Sequence, residues 1–83
     1  MVSLEDVLAA LDEFDRFGGG SLELIAWELG APYHGVTGLA ADATQRGLIR
    51  RCGTDRISGE EMWRLTAKGR LRARERVTSV SGR

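Results

Sequence analysis

His34 and Cys52 are the two side chains here that chemistry could join as a nucleophile and its base, because a thiol attacks only once a neighbour takes its proton. Each residue type occurs once. No third group stands by to orient the imidazole, and no signature motif surrounds either residue. The phosphate-cradling Walker loop, the dinucleotide fingerprint and the HExxH zinc motif are all missing. A single cysteine cannot form an intrachain disulfide, and His34 is the only other soft ligand for a metal. We therefore expect no enzyme, no cofactor and no metal site.

The arginines form the denser pattern. Arg46, Arg50, Arg51, Arg56, Arg64, Lys68 and Arg70 follow one another closely, and such guanidinium and ammonium groups suit phosphate oxygens. The formal net charge of zero conceals their segregation. Residues 1–42 carry eight acids and one base, a net of −7, and residues 43–83 carry four acids and eleven bases, a net of +7. Such asymmetry points to a polyanionic partner. It also fits a second reading, in which the two halves attract each other on folding. Arg72, Arg74 and Arg76 are expected to do no more than solubilise a terminal helix.

The elements that must position these residues follow from spacing. At 83 residues the chain makes one small domain, with a modest core that association with a second copy would enlarge. We place that domain at 1–77 and expect a frayed tail at 78–83. Ser3 caps a helix whose apolar stripe is Leu4, Val7, Leu8, Leu11 and Phe14, and Gly18–Gly20 ends it. Ser21 caps a second, short helix with Leu22, Ile25, Ala26 and Leu29 inward and Trp27 off that stripe. Pro32 opens a third, with Val36, Leu39, Ala40 and Ala43 inward, and Gly47 stops it. Residues 48–52 and 62–66 alternate as strands of a hairpin around the polar loop 53–60. Thr66 caps a last, basic helix in which Gly69 must be small for close packing. The class is mainly α with a small β-hairpin, in the order helix, helix, helix, strand, strand, helix. No run is long enough to span a membrane, and the acidic N-terminus is unlike a signal peptide, so we expect a cytoplasmic protein.

Two junctions carry a family likeness. Gln45-Arg46-Gly47-Leu48-Ile49-Arg50-Arg51 and Leu65-Thr66-Ala67-Lys68-Gly69 stand at the separation found in winged helix-turn-helix domains of bacterial transcriptional regulators, and the chain resembles the MarR and PadR kinds. The resemblance covers roughly residues 4–76. It implies a recognition helix at about 32–46 that enters the DNA major groove, and a wing at 50–64 on the backbone or minor groove.

On that resemblance the DNA-binding residues are Tyr33, His34, Thr37 and Gly38 on the recognition helix, with Ala41 beside them. Arg46, Arg50, Arg51, Arg56, Lys68 and Arg70 supply phosphate contacts. The partner is double-stranded DNA, bound by a homodimer built on Leu4, Leu8 and Leu11 of the first helix and Leu71 of the last. The third helix departs from the pattern, since Gly38 and Ala41 have no polar group with which to read a base. An alternative therefore stands: a winged-helix module that binds protein, in which Gly35 and Gly38 allow close helix packing.

Overall fold

The computed structural model describes residues 2–81, with side chains through Glu75. Its elements are α1 (Leu4–Phe14), a 3-10 turn (Asp15–Phe17), β1 (Gly20–Ser21), α2 (Leu22–Leu29), α3 (Tyr33–Gln45), β2 (Ile49–Thr54), β3 (Glu61–Leu65) and α4 (Ala67–Ser81). α4 thus continues past Val77, where the apolar periodicity runs out. Gly82 and Arg83, the end of the expected tail, lie outside the described residues.

Caps set the helix starts. The Ser3 hydroxyl accepts from the Asp6 amide at 3.3 Å and the Asp6 carboxylate accepts from the Ser3 amide at 2.9 Å, a reciprocal capping box. Ser21 accepts from the Leu24 amide at 3.1 Å and so starts α2. α3 ends in a Schellman turn. Gly47 takes the left-handed conformation (φ +74°), its amide donates to Thr44 and the Leu48 amide donates to Ala43 at 2.9 Å. The chain reverses there and enters β2 with Leu48 and Ile49 already inside.

The sheet has three strands rather than the two expected, in the order β1-β3-β2, all antiparallel. β1 is only Gly20–Ser21, paired with Met62 and Trp63 of β3. Glycine is required just before it. Gly19 has φ +119°, and a Cβ there would collide with the Trp63 carbonyl. β2 and β3 pair from Ile49↔Leu65 to Thr54↔Glu61, with a bulge at Cys52 between Arg51 and Gly53.

One core joins all four helices to the base of the sheet. Val7, Leu8 and Leu11 of α1, Ile25 of α2, Val36, Ala40 and Ala43 of α3, Leu48 of the α3–β2 turn, Ile49 and Leu65 of the sheet and Ala73 of α4 are all buried. Burying a leucine or isoleucine side chain here contributes about 1.5–3 kcal/mol. Leu8 and Leu11 are consumed by this core, which removes them from the expected dimer surface; Leu71, 62% exposed, remains available.

Gly69 behaves as its position suggested. A Cβ at this residue would run into the Leu48 carbonyl, so α4 packs backbone against backbone on the α3–β2 turn. Thr66 ties the same point: its hydroxyl donates to the Gly47 carbonyl at 2.5 Å and accepts from the Gly69 amide at 3.1 Å. Gly35 and Gly38 do not follow the close-packing reading, because a Cβ at either would meet nothing within 4 Å. They are small on an open side.

Candidate nucleic-acid interface

α3 buries Val36, Ala40 and Ala43 and thereby turns Tyr33, His34, Gly38 and Ala41 outward, as the 3.6-residue period requires. Gln45, exposed on the same stripe at its C-terminal end, belongs with them. It is absent from the residues expected at the groove, although its helical phase from Gly38 and Ala41 marks it. Thr37 is half-buried and its hydroxyl donates to the His34 carbonyl at 2.9 Å. The centre of the stripe is bare, with hydrogen-bonding groups at its two ends.

The basic residues divide into two sets. Arg50 and Arg56 are exposed and make no ion pair among the described residues, and Lys68 is exposed on the first turn of α4. Arg46 pairs with Asp42 one turn back at 3.1 Å, and Arg51 pairs with Glu61 across the wing at 3.2 Å. Both pairs are exposed, and pairs of that kind contribute about 0–1 kcal/mol. Either arginine can therefore exchange its carboxylate for a phosphate at little cost. Arg46 and Arg50 flank the Gly47 turn, and the Thr66–Gly47 hydrogen bond brings the start of α4, with Lys68, to the same turn.

Arg70 goes elsewhere. It and Arg64 converge on Asp15 at the end of α1, at 3.5 and 3.1 Å. The Asp15 side chain is 26% exposed. The hydrogen bond from Arg64 holds its carboxyl below the ordinary value of 3.8; burial opposes this, and the charge of Arg70 assists. The Nε atoms of both arginines are buried without a hydrogen-bond partner. This cluster fastens β3 and α4 to α1, so the attraction expected between the acidic and basic halves operates here. Arg72 adds a contact to Glu5, also on α1, at 3.5 Å.

The wing is a built turn. The Asp55 amide donates to the Glu60 carbonyl at 2.8 Å, the Gly59 amide to the Asp55 carbonyl at 2.9 Å and the Ile57 amide to the Asp55 carboxylate at 2.9 Å. Ser58 and Glu60 bond each other through two contacts at 3.2–3.3 Å. The acids of the loop are thus occupied, and the tip presents Arg56 and Ile57, the latter 96% exposed. The Cys52 thiol donates to the Gly18 carbonyl at 3.7 Å, and among the described residues no hydrogen bond joins it to His34.

Trp63 packs half-buried against the core, while Trp27 is 79% exposed on the outer face of α2. Among the described residues no helix is long and apolar enough to cross a membrane, and no three His, Cys, Asp or Glu side chains cluster to hold a metal.

Neither protein-family models nor curated proteins match the chain. Solved structures do. ZitR of Lactococcus lactis superposes with a TM-score of 0.80 at 23% identity, over 95% of this chain and 57% of that one. A MarR family regulator from Neisseria meningitidis gives 0.70 at 19% identity, over 93% and 54%. MepR of S. aureus, in a complex with DNA, gives 0.77 at 23% identity, over 95% and 55%. The chain spans a little over half the length of these proteins. Its fold is the winged helix-turn-helix of MarR-like regulators, with α2 and α3 as the helix pair and β2–β3 as the wing.

Proposed function

We propose that this chain binds double-stranded DNA as a transcriptional regulator that reads sequence, and that it does so as a homodimer. The observation that carries the reading is the pair of arginines, Arg50 and Arg56, that make no ion pair among the described residues, on a wing whose own acids are engaged. The similarity to MepR, solved as a DNA complex, supports it. In this reading α3 lies in the major groove with Tyr33, His34 and Thr37 nearest the base edges and Gln45 further along. Gly38 and Ala41 let the helix approach the groove floor closely, where a bare surface accommodates a thymine methyl. Arg46, Arg50, Arg51 and Lys68 contact phosphates, and Arg56 follows the wing tip to the backbone or minor groove. Arg70 is committed to Asp15 and adds only to the general field.

Titrating duplex DNA at several salt concentrations tests this. Affinity falls as salt rises, and Arg50→Ala with Arg56→Ala lowers the log–log slope by roughly 1.8, at about 0.9 for each phosphate no longer neutralised. A salt-independent response, or no binding at low salt, defeats the reading. Selection from a random duplex pool then yields a two-fold symmetric consensus if a dimer reads the sequence.

The exposed Trp27 favours a second reading, a winged helix that binds protein. Changing Arg50, Arg51 and Arg56 together separates the two, because a protein-binding module retains its function in that variant.

A further inference from the structure

Two surfaces of this chain complement each other. On α2, Leu22, Ile25 and Ala26 face the core, which leaves Leu24 and Trp27 at the centre of the outer face. At about 100° per residue, Glu23 and Glu28 stand on either side of them. Trp27 is 79% exposed, an unusual state for the largest apolar side chain, and no ion pair within the described residues engages Glu23 or Glu28. DNA does not suit this face, since its charges repel phosphates.

α4 presents the opposite pattern. Gly69 and Ala73 are buried, so Leu71 stands outermost at 62% exposure. Lys68 and Arg74 lie about 60° to either side of it by the same helical period. Glu75 also lies on this side, and the face is positive on balance. Arg72 is turned toward Glu5.

We infer that the acidic, tryptophan-centred face of α2 docks on the basic, leucine-centred face of α4 in a second copy of this chain. The contact sets Trp27 and Leu24 against Leu71, with Glu23 and Glu28 meeting Lys68 and Arg74. Every copy carries both faces, so reciprocal docking closes a two-fold dimer, and one-sided docking extends into an open chain. Lys68 lies at the edge shared with the phosphate-contacting residues. The inference rests on the homodimer part of the proposed function and assigns its surface. It does not depend on DNA binding.

Sedimentation velocity of the full chain over a wide concentration range, at low and high salt, tests the assignment. The chain is expected to self-associate, more weakly in high salt. Trp27→Ala weakens association by about thirtyfold, the effect of an interfacial hot spot of roughly 2 kcal/mol. Glu23→Lys with Glu28→Lys gives one variant, and Lys68→Glu with Arg74→Glu gives another. Each is monomeric alone, because both its docking faces then carry one sign, and the two associate when mixed. These positions are exposed, and an unchanged far-ultraviolet spectrum with a single cooperative melt verifies the fold of each variant. A wild-type chain that stays monomeric overturns this inference together with the homodimer reading. Association that persists in both charge-reversed variants overturns the assignment of the surface and leaves the homodimer standing. Salt-dependent DNA binding is read separately on the wild-type chain and on the Glu23→Lys, Glu28→Lys variant, because Lys68→Glu also removes a phosphate contact of the proposed function.

Discussion

Asp15 acts as a structural rivet. Two guanidinium groups share its carboxylate, one from β3 and one from α4, and neither finds another acid among the described residues. The consequence for pH follows from sign. The folded pKa lies below the ordinary 3.8, with the Arg64 hydrogen bond as the main cause, and the unfolded chain titrates at the ordinary value. The stabilisation is therefore complete above that value and is lost as the pH falls below it, through the folded pKa. We expect the melting temperature to drop on acidification below about pH 4, and Asp15→Asn to flatten that drop while lowering the melting temperature at neutral pH. Calorimetry from acid to neutral pH decides the matter, and an acid limb that is identical in the variant excludes Asp15 as its source.

At the scale of elements, the turn between α3 and β2 controls the geometry. Gly47 reverses the chain, Leu48 plunges into the core, and Gly69 lies directly on the Leu48 carbonyl. Gly69→Ala must move backbone, so we expect it to destabilise by about 1–3 kcal/mol or more. Gly38→Ala meets open space inside a helix and should stabilise by about 0.5–1 kcal/mol. Urea denaturation of both variants sets the contrast, and a neutral Gly69→Ala removes the packing account. Thr66→Ala loses a helix cap and its link to Gly47 together, a cost of about 1–2 kcal/mol on the same assay.

These elements differ in how plainly the sequence announces them. The amphipathic stripes of α1 and α2, the Ser3 and Ser21 caps and the Gly47 reversal are local patterns, and spacing alone reveals them. β1 is not readable, because a Gly-Ser strand has no alternation and exists only by pairing with Met62 and Trp63, far along the chain. The fate of Arg70 is hidden for the same reason. Its charge is visible in the chain, but its partner on α1 is brought there by the fold. The candidate DNA residues are legible as types, whereas their division into free and engaged arginines exists only once the chain has folded.

For the whole molecule, a single core that draws on every helix argues for one cooperative unit. We expect one unfolding transition at a given protein concentration, with a heat-capacity change per chain of about 1.0–1.2 kcal/mol/K, from roughly 12–15 cal/mol/K per residue. A second transition would show that α4 or the wing melts independently. The separation of charge along the chain survives folding only in part, since Asp15 and Glu5 draw in Arg64, Arg70 and Arg72.

The wing changes character along its length. At its base Ile49 and Leu65 are buried and locked to the core; from Arg50 outward β2 is exposed, and the loop at the end is held by its own hydrogen bonds. Residues 55–60 are thus an exchangeable cartridge. Loops of other length or composition can be spliced in with little penalty to folding, because closure entropy grows only slowly with length. New tips can thereby arise by insertion while the helices that hold the chain together stay untouched, which makes this segment the natural place for the scaffold to acquire a different target.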